Sequence, residues 1–314
     1  MSTVELSGLS ITTPLGFMAA LGLLRICAQD HGEQVGLAWG ANTARLDGIC
    51  EDHLTELLVE HLRGRHLAPE FNLEVSLAGG QRGPFIHLRE IPRADYRAAA
   101  HSWSTDPRAL SFLAGYGTDA VINKYGHVAR TQFDFSSARQ CLALEFRRLA
   151  ESLDPQARCP AQQLATRIQR ALYGGAYEDQ HTFGWDPATL LTHAHQAISP
   201  SASATPGQPV AVWLAVESLP LHPVLPTGHN RAITVGFVGS QAYAWPQWSA
   251  PLSLPEVRML RQRQLASLHS LPGVEAVWMA GITRVGSFRF FLPATRTTSD
   301  RLGHRRYTQG ISLT

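Results

Sequence analysis

Pro14–Asp30, PLGFMAALGLLRICAQD, is the stretch on which the fold turns. Through Ile26 it is apolar almost all round, and Thr12 or Thr13 can cap it with Pro14 in the first turn, so it reads as a helix. A helix without a polar face has to be buried. Arg25 interrupts the apolar run, which falls short of the roughly 20 residues that a membrane span needs. Gly16 and Gly22 leave smooth patches where another backbone can approach. The rest of the chain must therefore wrap a core around this helix. Composition allows it: 44% of the 314 residues are hydrophobic and 17% charged, which excludes wholesale disorder.

Upstream, Thr3–Ile11 alternates apolar and polar residues as a half-buried strand does. Downstream, Val35–Trp39 and Ala44–Asp47 form a short strand pair, and Glu51–Arg65 is an amphipathic helix carrying Leu54, Leu57, Leu58 and Leu62. Phe71–Leu77 alternates as a strand and AGGQRGPF is a turn. Helices follow at Arg93–His101, Pro107–Ala114, Ser137–Ser152 and Gln162–Leu172, the last stopped by Gly174–Gly175. Val210–Val216 and Ala232–Val238 read as strands, and Leu254–Leu271 as a helix opened by Pro255 and Glu256. Val274–Ile282 and Ser287–Leu292 read as a hairpin. Helices and mostly antiparallel strands mix without a βαβ rhythm, so the expected class is α+β. No repeat of solenoid period is present. Residues 197–209 (AISPSASATPGQP) read as a flexible connection between N-terminal (1–196) and C-terminal (210–314) α+β regions, or as a long loop inside one continuous domain.

Cys27, Cys50, Cys141 and Cys159 are scattered, which suits free thiols in a reducing cytosol rather than a disulfide framework. The N-terminus lacks a basic n-region and carries Glu5, so no secretory signal is expected. The expectation is a soluble cytoplasmic protein that does not enter a membrane. Net charge is only +2, but residues 257–314 hold nine arginines against Glu275 and Asp300, a balance of +7 that leaves −5 for residues 1–256. Such asymmetry points to an acidic partner, most often nucleic acid, and the plain alternative is a solvated basic surface.

No phosphate-binding loop, nucleophile elbow, HExxH or dinucleotide fingerprint occurs. His193 and His195, with His181, Asp179 and Asp186 upstream, are the best metal candidates. Positions two apart diverge on a helix, however, and a site needs three or four convergent ligands. Asp119 and Asp134 could pair for acid–base work, though nothing in the sequence fixes their distance. No catalytic residue, metal or cofactor is therefore expected. Lys124-Tyr125-Gly126-His127 beside Arg130 reads either as a phosphate-facing loop or as a surface turn. Arg258, Arg261 and Arg263 fall on the polar side of a predicted helix. From Arg284 through Arg289, Arg296, Arg301, Arg305 and Arg306, arginines interleave with Phe288, Phe290, Phe291 and Tyr307. That alternation suits backbone tracking with base stacking, and a hairpin with one buried aromatic face explains the phenylalanines equally well.

Six segments in order resemble the large-subunit-like proteins of type I-G (formerly I-U) CRISPR surveillance complexes. They are PLGFMAALGLLRI, ARTQFDFSSARQCLALEF, FGWDP, LAVESLPLHPVLP, YAWPQWSAPLSL and the arginine-rich close, extending from residue 14 to about 306. The resemblance implies a non-catalytic subunit held with other effector subunits and crRNA. Such a subunit contributes to target-DNA binding and to recognition of a flanking motif, while a recruited helicase–nuclease cuts. The family's FDF turn falls on Phe133–Phe135, its GWDP on Gly184–Pro187 and its WP-x-W on Trp245–Trp248. Asp186 then suits a cap or turn, and the tryptophans suit packing between subunits. Large members of the family are much longer than this chain, which leaves open a DNA-reading or a purely scaffolding role. The other readings are a small metal-dependent hydrolase built on His181, His193 and His195, and a purely structural subunit.

Overall fold

The computed structural model describes residues 2–76, 82–84, 88–136, 141–188, 206–285 and 288–297. The alternating segment at the N-terminus is strand β1 (Thr3–Ser10), and helix α1 (Pro14–Arg25) follows it. The Thr13 hydroxyl accepts from the Gly16 amide at 3.1 Å, and Pro14 fills a first-turn position where an N–H would go unused. All twelve residues of α1 are buried, as its unbroken apolar surface demands. A π-helical turn, Ile26–Asp30, carries the chain out of the core. Strands β2 (Gly36–Trp39) and β3 (Thr43–Asp47) then complete an antiparallel sheet of order β1-β3-β2.

The amphipathic helix α2 (Glu51–Leu62) is followed by tight turns at Arg65–Leu67 and Pro69–Phe71, and by the small hairpin β4 (Glu74–Ser76) and β5 (Arg82–Pro84). Helices α3 (Arg93–Ser102) and α4 (Pro107–Tyr116) lead into a second hairpin, β6 (Gly117–Ile122) and β7 (Val128–Arg130). Helices α5 (Leu142–Leu153) and α6 (Ala161–Tyr173) come next. A short pair, β8 (Glu178–Asp179) with β9 (Pro206–Gly207), leads to helix α7 (Pro209–Glu217). Hairpin β10 (Val224–Gly228) and β11 (Arg231–Thr234) precedes the main sheet. That sheet is built from β12 (Phe237–Val238), β13 (Ala242–Trp248), β14 (Val274–Val285) and β15 (Phe288–Phe291), with β16 (Thr295–Arg296) also on β14. Helices α8 (Leu254–Arg261) and α9 (Leu265–Leu268) lie between β13 and β14. The class is α+β, with antiparallel pairing throughout the described strands.

Several expected elements need correction. Val210–Val216 is not a strand but the body of α7, buried on all sides and opened by Pro209. The helix expected over Leu254–Leu271 breaks after Arg261 and resumes at Leu265. Ala232–Val238 divides at Gly236, whose φ is 94°. Only Glu74–Ser76 of Phe71–Leu77 is strand, and the described part of Ser137–Ser152 becomes helical at Leu142. Most of the 197–209 connection lies outside the described residues. Its last four residues form β9 and enter α7.

The core centres on α1 packed against α7, where a Cβ on Gly22 would overlap the Leu214 carbonyl oxygen. Only a residue without a side chain lets the two helix backbones come so close. On the other side of α1, Phe17 stacks on Trp39 and Trp245 at 5.8 and 5.6 Å between ring centroids. The indole N–H of Trp245 donates to Ile11 O and that of Trp248 to Leu37 O, so the main sheet is fastened to the first one. These two tryptophans pack inside the chain, which corrects their reading as contacts between subunits. Phe133 meets Trp185, His222, Tyr243 and Phe291 at 5.0–6.2 Å, so the FDF, GWDP, LHP and YAW segments converge on one aromatic cluster. Asp186 accepts from the Ala188 amide at 2.9 Å, the turn role expected of it.

Candidate nucleic-acid interface

The arginines of the sequence divide into a buried set and an exposed set, and the division decides what each can touch. Arg25 and Arg65 are buried on the Glu217 carboxylate at the C-terminus of α7. Arg65 Nε donates to Glu217 Oε1 at 2.8 Å, and Arg25 Nη2 donates to Oε2. Arg25 Nε also satisfies the Glu217 carbonyl at 2.7 Å, one of the acceptors that a helix end leaves open. Arg65 bridges on to Glu70 at 2.6 Å, and Arg108 reaches the same Glu70 oxygen at 3.2 Å. Burial opposes charge on Glu217, but Arg65, Arg25 and His61 outweigh it and hold its carboxyl well below the usual range. Burial lowers the pKa of His61 in spite of the neighbouring Glu217.

Asp30, His61 and Glu217 are the one set among the described residues with the spacing of a metal site. Two guanidinium groups already occupy the Glu217 oxygens, so a divalent ion there would face two positive charges at contact distance. Among the described residues His181 belongs to no such set. Its Nδ1 accepts from the Phe183 amide at 3.0 Å. His193 and His195 lie outside the described residues. Asp119 and Asp134 do not pair with each other: Asp119 binds Arg97 at 2.6 Å and Asp134 binds Arg130 at 2.8 Å.

Arg261 corrects its sequence reading. It faces inward, 6% exposed, donating to Ala244 O, Val235 O and the Tyr243 hydroxyl, with its guanidinium 5.2 Å from the Phe17 ring centre. Burial lowers its pKa and pushes the Tyr243 phenol up to about 12. His222, which faces the same hydroxyl at 2.8 Å, is held well below its ordinary value by burial and by Arg261. No phosphate can reach this group. Arg258 is half-buried and donates to Gln29, whereas Arg263 is exposed.

Among the described residues, the remaining basic candidates lie on two surfaces. On the first, Arg284 and Arg289 sit directly opposite each other across β14 and β15, both exposed. Neither has an acidic partner among the described residues. On β16, opposite Trp278 of β14, Arg296 is exposed and lies with its guanidinium 5.1 Å from the Trp278 ring centre. Arg301, Arg305 and Arg306 lie outside the described residues.

On the second surface, two hairpins stand side by side. Lys124 and Tyr125 occupy the β6–β7 turn, which Gly126 closes by donating to Asn123 O at 3.0 Å. Gly126 takes φ 79°, a conformation natural to glycine. The β10–β11 turn places His229 and Asn230 at φ 47° and 54°, the left-handed pair of a two-residue hairpin loop. Gln132 ties the bases of the hairpins together, exchanging bonds of 2.8 Å with Thr234, and Asn230 Nδ2 ties the tips by donating to Ile122 O at 3.2 Å. Lys124, Arg130 and Arg231 therefore lie on neighbouring hairpins.

Searches against protein-family models and against curated proteins found no match to this chain. Among the described residues no helix is long and apolar enough to cross a membrane.

The buried charge network around Glu217 is not announced as a unit by any local sequence pattern. Its signals were an arginine closing one almost wholly apolar helix and a glutamate closing another, at Arg25 and Glu217.

Proposed function

We propose that this chain is a non-catalytic, nucleic-acid-binding subunit of a crRNA-guided CRISPR effector complex, working in the cytoplasm. It contributes contacts to target DNA and to a short flanking motif, while other subunits hold the guide. The observation that carries the reading is the Arg284–Arg289 pair. Like charges directly opposite on neighbouring strands destabilise the pairing. Here no described carboxylate offsets them, so an external polyanion is the natural partner. The ordered resemblance from Pro14 to Arg306 supports membership of the effector complex.

In such a complex arginine–phosphate contacts supply affinity by counterion release, and guide pairing supplies most of the sequence information. The test is target-DNA binding across a salt series by complexes carrying wild-type chain or Arg284→Ala with Arg289→Ala. Two lost phosphate contacts flatten the log–log salt slope by up to about two and weaken all sequences alike. An unchanged slope with intact assembly overturns the reading.

A further inference from the structure

We propose that the joined tips of the β6–β7 and β10–β11 hairpins form a stacking site for an unpaired nucleotide. Tyr125 is the platform for the base, and Lys124 and Arg231 attract its phosphates. This rests on the nucleic-acid reading above and names the form of nucleic acid that this second surface takes.

Tyr125 is 70% exposed at the end of a tight turn, and the fold makes no packing use of its ring. Lys124 Nζ lies 4.9 Å from its ring centre and the His127 ring 6.2 Å away. The turn is nevertheless fixed in shape. Asn123 Oδ1 accepts from the Tyr125 amide at 2.9 Å and from the His127 amide at 3.1 Å, and the second hairpin braces the first at both ends. An exposed aromatic on a braced turn loses little conformational freedom when a base stacks on it.

Beside it runs an open groove of about 590 Å³, lined by Tyr125, His127, Arg130 and Glu90 together with Val128 and Ala129. Arg130 in this groove is already tied to Asp134 and is not a free cation for a phosphate. Lys124 and Arg231, exposed and without an acidic partner among the described residues, remain for the backbone. A base inside a duplex is closed to a flat side chain, whereas single strands offer every face.

The experiment uses the purified full chain with an oligothymidylate carrying one 2-aminopurine, a fluorescent base quenched on stacking, and a fully paired duplex of equal length. Tyr125→Ala, Tyr125→Trp and Arg284→Ala/Arg289→Ala are compared, with equal thermal unfolding confirming the fold of each. Wild-type chain is expected to quench the fluorophore. Tyr125→Ala should lose the quench and about 5- to 150-fold in single-strand affinity while duplex binding stays within two-fold, and Tyr125→Trp should restore both. Equal losses for single strand and duplex, or an unchanged quench in Tyr125→Ala, overturn the stacking site. So does a nuclease-resistant protein partner whose binding needs Tyr125 and excludes the oligonucleotide. If the Arg284/Arg289 variant loses affinity and Tyr125→Ala does not, this inference alone falls. If no variant, nor the wild type, binds either nucleic acid, both readings fall.

Discussion

Replacing Glu217 by Gln keeps the side-chain shape and removes one charge from a buried network. Arg25, Arg65 and Arg108 are balanced there by Asp30, Glu70 and Glu217, with burial lowering the pKa of His61. Glu217 Oε1 faces His61 Nε2 and Arg65 Nε, and Oε2 faces Arg25 and Arg65. An amide has one oxygen, so its nitrogen would confront guanidinium donors whichever way it turned. Arg65 keeps Glu70 and Arg25 keeps Asp30, but the network carries an uncompensated positive charge. Removing one partner of a buried pair costs about 3–5 kcal/mol. That is a large share of the roughly 5–15 kcal/mol by which a protein of this kind is stable. Urea unfolding followed by tryptophan fluorescence should show the midpoint falling by about 1 M or more at unchanged m. A double-mutant cycle with Arg65→Met should return a coupling of about 0.5–3 kcal/mol. A loss below about 1 kcal/mol with unchanged m would refute the view that these charges depend on one another.

Acidification should destabilise the protein in two stages. Burial depresses the folded-state pKa of His61 and His222, so below about pH 6.5 the unfolded chain binds protons that the fold refuses; between pH 7.5 and 5.5 each histidine removes up to about 1.4 kcal/mol. Glu217, depressed in the fold, contributes stability above about pH 4.3 that is lost as pH falls toward its folded value; a urea midpoint flat from about pH 7.5 to about 5.5 would contradict the first stage, and one flat from about pH 5 to about 2 the second. Gly22→Ala should cost about 1–3 kcal/mol in urea unfolding, since the added methyl meets the Leu214 carbonyl and neither helix backbone can give way cheaply. Arg261→Met should also lower stability, by about 1–3 kcal/mol, yet leave the salt slope of DNA binding as in wild type, because its guanidinium is spent on Val235, Ala244 and Tyr243.

Much of the fold was legible because local chemistry and burial agree. Thr13 and Pro14 announce the start of α1, and its lack of a polar face announces the core. The expectation that glycine lets a second backbone approach α1 is met at Gly22. Val210–Val216 was misread because a short apolar run rich in valine has no period to betray a helix buried on every side. Pro209, at the first helical position, was the usable signal. Arg261 was misread for the opposite reason. Leu254, Val257 and Arg261 share one helical stripe by spacing, and chemistry suggested solvent where position dictated the interior. On the candidate surfaces, Lys124, Arg130, Arg284 and Arg289 were visible as residue types. The bracing of one hairpin by another, through Gln132–Thr234 and Asn230–Ile122, spans about a hundred residues and no local pattern records it.

The seating of α1 against α7 joins residues 192 apart in the chain, as the Arg25–Glu217 contact measures. At roughly 5–20 residues added per second, a ribosome needs about 10–40 s to supply α7 after α1 has been made. For that interval a helix whose twelve residues are all buried in the fold waits for its main partner. It is a ready target for chaperones that bind apolar segments, and a nascent chain stalled before residue 209 would leave its Gly22 face uncovered.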